Sequence, residues 1–172
     1  WGATFRSRWL YTEQDIGLAL FTRSLERVPC DLAPGGRVLE IGCAEADWMS
    51  LAQAADPTLC LVGIDWRPSQ RPGCVLKADV LQQNFGCVAF DAIVSVSAIE
   101  HIGLGHYEGD PVDPDGDIRT LAKCLWWLKP GGWLYLDVPY TCGEYFVKDT
   151  EYRCYNDRAI EERLLPGWRV LA

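Results

Sequence analysis

The run Arg37-Val38-Leu39-Glu40-Ile41-Gly42-Cys43-Ala44-Glu45-Ala46-Asp47-Trp48 decides the fold. Pro34-Gly35-Gly36 breaks the chain just before it, and Val38-Leu39-Glu40-Ile41 is a short apolar run suited to a buried parallel strand. Small residues at 42, 44 and 46 let a ligand approach the backbone of the following turn, where amides at a helix start can donate hydrogen bonds. That helix is expected from about Ala46 to Ala55, ended by Asp56-Pro57.

The same alternation extends in both directions. Upstream, Ile16, Ala19, Leu20, Leu25 and Val28 recur at helical spacing, with Thr12 and Asp15 placed to cap the start. Downstream the pattern predicts strand 59–64, strand 74–77, a short helix after Asp79 and strand 92–96. A polar loop from about Glu100 to Gly116 follows, then a helix capped by Asp117 and running to Leu128, which Lys129-Pro130-Gly131-Gly132 terminates. Strand 133–138, helix 157–165 and strand 168–171 complete the order. Strands alternating with helices imply right-handed crossovers, hence an α/β three-layer sandwich around a mainly parallel, doubly wound sheet.

With 172 residues the chain fits one domain, read as a helical segment over 1–30 and an α/β core over 37–172. Nearly half of its residues are apolar and about a quarter charged, the balance of a globular protein. A net charge of −8 disfavours phosphate-backbone binding, so nucleic acid is not the expected partner. No apolar run approaches the roughly 20 residues that cross a bilayer, and the start lacks a secretory h-region, so no membrane partner and a cytoplasmic location are expected. The eight cysteines include no CxxC pair, which points to reduced thiols rather than a zinc or disulfide framework. No metal is expected.

In an open sheet of this kind ligands bind beyond the carboxyl ends of the strands, and three acidic or small groups fall there. Gly42 and Ala44 follow the first core strand. Asp65 ends the second, 25 residues beyond Glu40, where a carboxylate can accept both hydroxyls of a ribose. Asp79 follows the third and can accept from an exocyclic base amine. Structural alternatives stand beside these: Asp79 caps the next helix, Trp66 packs under a loop, and Asp65 pairs with Arg67 or Arg71.

These stretches together resemble a class I S-adenosylmethionine-dependent methyltransferase. RVLEIGCAEADW (37–48) is similar to the family's E-x-G-x-G-x-G motif, LVGIDW (61–66) to its acidic second strand, and KADV (77–80) to its third motif. FDAIVSVSAIEHIG (90–103) resembles the fourth motif and LKPGGWLYLDVP (128–139) the helix-to-strand step after it. The resemblance implies S-adenosylmethionine as cofactor, with Glu40, Gly42 and Ala44 bordering its methionine part and Asp65 its ribose. It further implies Trp66 at the adenine face, Asp79 and Val80 at the adenine edge, and Ser95 within the cofactor set. Ala44 and Ala46 stand where the family carries glycine, which makes the loop bulkier and restricts positive φ. The family sheet has a further antiparallel strand between its fifth and sixth strands; nothing after 168–171 supplies it, so the expectation is a sheet without it or a chain cut from a longer one.

The expected partner is a small-molecule acceptor methylated at oxygen, a sugar among the candidates. Glu100 and His101, just after the fourth core strand, are the expected catalytic residues, His101 as a general base; His106 is the other histidine. The segment GLGHYEGDPVDPDGDIRT, with Glu108, Asp110, Asp113, Asp115 and Asp117, is similar to one in a subgroup of methyltransferase-like domains and overhangs the active-site edge. Its acidic residues fit turn and cap duties, a polyhydroxylated acceptor, or a cation, although the spacing departs from a calcium loop. In related enzymes an amino-terminal segment such as the one carrying Trp1, Phe5, Trp9 and Tyr11 folds over the cofactor; packing against the sheet is the alternative. Two other functions stay open: a nicotinamide-dependent oxidoreductase, against which Gly42-x-Ala44-x-x-Asp47 departs from GxGxxG, and a non-catalytic binding domain.

Overall fold

The computed structural model describes residues 3–6, 10–11, 32–44, 48–68 and 74–171. The predicted helix over 12–28 lies outside them, as do Glu45, Ala46 and Asp47 of the first loop. In chain order the elements are β1 (Ala3–Arg6), β2 (Leu10–Tyr11), β3 (Arg37–Ile41), α1 (Trp48–Ala55), β4 (Cys60–Asp65), β5 (Cys74–Lys77) and β6 (Phe90–Val96). A 3₁₀ turn (Ile99–His101) follows, then α2 (Gly116–Trp127), β7 (Leu128–Pro139), β8 (Phe146–Lys148) and β9 (Tyr152–Cys154). The last elements are α3 (Asp157–Ala159), continued by a π turn over Ile160–Leu164, and β10 (Trp168–Leu171).

The main sheet runs β10-β1-β7-β6-β3-β4-β5, with β2 also on β7, and every pairing in it is parallel. Successive side chains of a strand alternate between faces, and the core divides accordingly. Leu39, Ile41, Ile93, Leu134 and Leu136 pack with Leu121, Cys124 and Trp127 of α2 and with Ala159 of α3. Val38, Ala92, Val94 and Tyr135 pack with Trp48, Met49 and Ala52 of α1 on the other face. The three-layer, doubly wound architecture is therefore as expected. Strand order reverses at β3, flanked by β4 and β6, which is where such sheets open a ligand crevice.

Four local expectations need correction. Asp79 opens a turn instead of a helix: its side chain accepts the Leu81 amide (2.8 Å), and Gln82 and Gln83 donate to its carbonyl. Asp117 does not cap α2; the helix starts at Gly116, and the Asp117 carboxylate is turned inward. Lys129–Gly132 does not separate helix from strand but is absorbed as a register shift in β7, opposite Asp91, whose carboxylate takes the Lys129 ammonium at 2.8 Å. The slot between β7 and β10, held in the resembled family by an antiparallel strand, contains β1 running parallel, with Ala3 to Arg6 in register with Trp168 to Leu171. The β8–β9 hairpin was not anticipated.

No disulfide joins the described cysteines; Cys43, Cys124 and Cys154 are buried. Among the described residues no helix is long and apolar enough to cross a membrane.

Candidate active site

Beyond the carboxyl ends of β3, β4 and β6 lies an open cavity of about 180 Å³. Gly42 forms its floor. This residue has φ +82°, and a Cβ added there would lie 2.2 Å from the Cβ of Ala98, so glycine is demanded both by backbone conformation and by the neighbouring turn. The Asp65 carboxylate at the end of β4 spans the crevice. One oxygen accepts the Ala44 amide (2.9 Å); the other accepts the Arg67 amide (2.7 Å) and Nε (3.4 Å). A carboxylate has about four lone-pair sites. Among the described residues, the Asp65 oxygen facing Ala44 accepts one hydrogen bond and keeps acceptor capacity for a ligand hydroxyl.

The residues that the resemblance places at an adenine offer a freer surface. Asp79 uses one oxygen on the Leu81 amide, and among the described residues its other oxygen carries no hydrogen bond. Trp66 is half-buried, with Nε1 donating to the Glu108 carbonyl at 3.3 Å, so the ring is held beneath the 104–112 loop. Val80 is buried beside them in the cavity wall. This donor and acceptor set fits a nucleoside: a flat apolar face, an acceptor for an amine at its edge and one site for a sugar hydroxyl.

Opposite stands the turn after β6. His101 lines the cavity, and its Nδ1 lies 2.6 Å from the carbonyl oxygen of Glu151 in the hairpin turn. A carbonyl only accepts, so Nδ1 carries the proton and Nε2 keeps the lone pair of the neutral ring. Burial holds the imidazole below the ordinary histidine range, reinforced by the charges of His106 and Arg67 and opposed by the carbonyl and the carboxylate of Glu151. Glu100 is buried behind it, one oxygen 3.8 Å from His101 Nε2. Burial, helped by the neighbouring Asp137 charge and opposed by Arg153, pushes the Glu100 carboxyl up to about 8, and burial pushes Asp137 up to about 7. Glu100 is therefore largely protonated at neutral pH.

Of the residues expected from sequence, the cavity gathers Gly42, Asp65, Trp66, Asp79, Val80 and His101. Glu40, Glu100 and Ser95 are buried and do not line it, and Ala44 acts through its amide on Asp65. Ser95 lies within the ladder, paired with Ile41 and Leu136, whereas Ser97, past the strand end, lines the cavity with φ +44°. Tyr107 and Asp110, from the segment expected to overhang this edge, also line it, and Arg67, expected only as a partner for Asp65, joins them. Partial burial and the Asp79 charge raise the Asp110 carboxyl, against the amides of Gly105 and His106.

The acidic loop is mostly engaged with arginines. Asp113 pairs with Arg119 and accepts the Asp115 amide, Asp115 meets Arg163 at 3.3 Å, and the buried Asp117 accepts from Arg163 and from the Tyr155 hydroxyl. Such pairing ties Asp113, Asp115 and Asp117 into the fold, while Asp110 faces the cavity.

A family described as "Caenorhabditis protein of unknown function, DUF268" matches residues 73–160, just over half of the chain. The chain belongs to the DUF268 family. The matched span holds β5, β6, the His101 turn, α2, β7, the hairpin and α3, so this DUF268 chain carries Asp79, Glu100, His101 and Arg153 within the family's own region. No curated protein matches the sequence. Among solved structures, the sugar N-methyltransferase KedS8 from Streptoalloteichus sp. is similar at 19% identity and TM-score 0.51, covering 81% of this chain and 61% of its own. The [4+2]-cyclase SpnF is similar at 20% identity and TM-score 0.51, with coverage of 72% and 48%. A complex between the Haloferax volcanii Trm112 methyltransferase activator and a methyltransferase gives 18% identity and TM-score 0.50, with coverage of 66% and 49%. The DUF268 chain spans about half to three-fifths of the length of these structures. At such identities the likeness establishes the Rossmann-like methyltransferase fold.

Proposed function

We propose that this DUF268 chain moves a methyl group from S-adenosylmethionine to an oxygen of a small-molecule acceptor, with sugar hydroxyls among the candidates. The observation that carries the reading is the composition of one cavity: nucleoside-suited groups, Asp65, Trp66, Asp79 and Val80, on one side and a histidine with a defined lone pair on the other. Asp79 would accept the adenine amine, Trp66 and Val80 would enclose the base, and Asp65 would take one ribose hydroxyl. Gly42 would let the amino-acid tail pass close to the backbone.

S-adenosylmethionine, when bound, supplies a methyl on a positively charged sulfur, whose transfer to an acceptor oxygen leaves a neutral sulfide and releases the hydroxyl proton. His101 Nε2 takes that proton, so the positive charge ends on the imidazolium. A histidine held below its ordinary range is unprotonated at neutral pH and ready for this role. The loop over 104–112 is pinned on Trp66 and contributes Tyr107 and Asp110 to the cavity wall, where it would help keep water from a bound methyl donor.

Calorimetry with S-adenosylmethionine, its demethylated product and NADH tests the cofactor assignment. Heat with the first two, lost in Asp79→Ala, is expected; heat with NADH alone, or none at millimolar concentrations, overturns it. Transfer of labelled methyl to a panel of sugars and other hydroxylated acceptors tests the reaction, and cofactor binding without turnover would favour a non-catalytic domain.

A further inference from the structure

The β8–β9 hairpin leaves the layered core and returns against the His101 turn. Its own turn is closed by the Glu151 amide donating to the Lys148 carbonyl, and its two central residues, Asp149 (φ +46°) and Thr150 (φ +60°), are both left-handed. Two successive positive φ angles define the hairpin turn that normally selects Asn-Gly, and a β-branched threonine there is strained. Strain of this kind persists when surrounding structure enforces it. Here the enforced geometry places the Glu151 carbonyl on His101 Nδ1 at 2.6 Å.

Two residues later Arg153, with 0% of its surface exposed, points its guanidinium at the same turn. Nη1 donates to the carbonyls of Glu100 (3.2 Å) and Ile102 (2.8 Å), the residues on either side of His101. Nη2 donates to the carbonyls of Asp113 (3.4 Å) and Pro114 (3.1 Å), and Asp117 lies 3.7 Å from Nε as counter-charge. A buried guanidinium aimed at carbonyl oxygens, not bidentate on a carboxylate, is an orienting device for backbone. His101 is thus held at its ring by one hairpin residue, while another holds the carbonyls of the residues before and after it, and Tyr152 between them stands edge-on to the ring at 6.4 Å.

We infer that the β8–β9 hairpin sets the tautomer and orientation of His101, with the Glu151 carbonyl as the orienting acceptor and Arg153 as a positioning residue, leaving Nε2 as the proton-accepting atom. The arrangement orients the ring as a carboxylate does in a hydrolase triad, but through a carbonyl dipole; the Glu151 carboxylate adds a charge that favours the imidazolium, against the burial that disfavours it. Burial and the nearby His106 and Arg67 act against protonation in the same sense, the Glu151 carbonyl and carboxylate act for it, and one Glu100 oxygen lies 3.8 Å from Nε2. The part of this inference that concerns catalysis rests on the methyl-transfer reading; the part that concerns the tautomer does not.

The chain contains two histidines, so nitrogen-15 NMR of histidine-labelled protein reads both rings, and His106→Gln assigns them. For the wild type, His101 is expected with protonated Nδ1 and bare Nε2. Thr150→Gly keeps the positive φ and should retain that signature; Thr150→Pro, which fixes φ near −65°, withdraws the carbonyl and should move the proton to Nε2. In a methyl-transfer assay the proline variant should lose roughly tenfold or more in kcat with KM for the cofactor little changed, as for a misoriented base. Arg153→Lys should lose the signature too, and if it fails to fold the threonine pair still decides. A wild-type His101 protonated at Nε2, or an unchanged tautomer in Thr150→Pro, overturns the inference. Expected spectra together with no cofactor binding would leave the hairpin assignment standing and remove the methyl-transfer reading alone.

Discussion

Replacing Asp117 by alanine should be among the most damaging single changes away from the cavity. Its carboxylate is fully buried and accepts the Tyr155 hydroxyl at 3.0 Å and Arg163 at 3.1 and 2.8 Å, with Arg153 Nε at 3.7 Å. Arg163 reaches solvent and keeps Asp115, so it tolerates the loss; Arg153 is fully buried and would keep a charge with no counter-ion. Breaking a buried pair by removing one partner costs about 3–5 kcal/mol, a large share of the roughly 5–15 kcal/mol that holds a domain together. For a chain of this length that corresponds to a fall in Tm of roughly 6–20 °C. Urea melts of Asp117→Ala would read the loss as a shift in midpoint at unchanged slope. Tyr155→Phe, which deletes one buried hydrogen bond, should cost about 1 kcal/mol, and Asp115→Ala, an exposed pair, about 0.5 kcal/mol or less. If Asp117→Ala lies within 1 kcal/mol of wild type, or Asp115→Ala matches it, Arg153 is not balanced as described.

Gly42→Ala brings its new methyl against Ala98 at a φ that alanine resists; it should cost roughly 1–3 kcal/mol and weaken S-adenosylmethionine at least tenfold by calorimetry. Adding Ala98→Gly removes the contact but not the φ penalty, so recovery should be partial. Glu100 and Asp137 have folded pKa values, about 8 and about 7, above their unfolded values, so the native state binds more protons between about pH 4 and 8. Stability from this source is complete below the unfolded values and is lost as pH rises through the folded ones, with a slope of up to about 1.4 kcal/mol per unit for each group. Urea melts at pH 5.5 and 8.5 should show the decline, and Glu100→Gln should flatten it. Val88 sits exposed at φ +49°, so Val88→Gly should raise stability by about 0.5–1 kcal/mol in a thermal melt.

Strands β3 to β7 and β10 were legible because parallel strands buried on both faces read as short apolar runs between turn residues, and 74–77 was placed to the residue, whereas β1 and β2 lie in the stretch read as a helical segment. Asp65, Asp79 and His101 were legible because the carboxyl ends of strands are where this architecture puts ligands. Ser95 misled because it lies one residue short of the end of β6, where the ladder still encloses it, and the cavity begins at Ser97. The hairpin escaped notice because β8 is exposed throughout and its turn uses Asp-Thr where the usual signal is Asn-Gly. The Glu151 carbonyl had no chance of being read, since every residue has one. Asp117 looked like a cap from its position at the start of a helix; only the convergence of Arg153, Tyr155 and Arg163 from 36 to 46 residues away turns it inward.

The parallel strand wedged between β7 and β10 has a consequence for the order of assembly. Ala3 pairs with Trp168, 165 positions later, and Thr4 with Trp133, so this strand finds its partners only after the segments that follow it have been made. The β3–β6 half can pair as soon as it is made, whereas that side of the sheet waits for the distant segments. Closing so long a loop is slow, and a late, rate-limiting docking step is the kinetic signature that this topology writes into refolding.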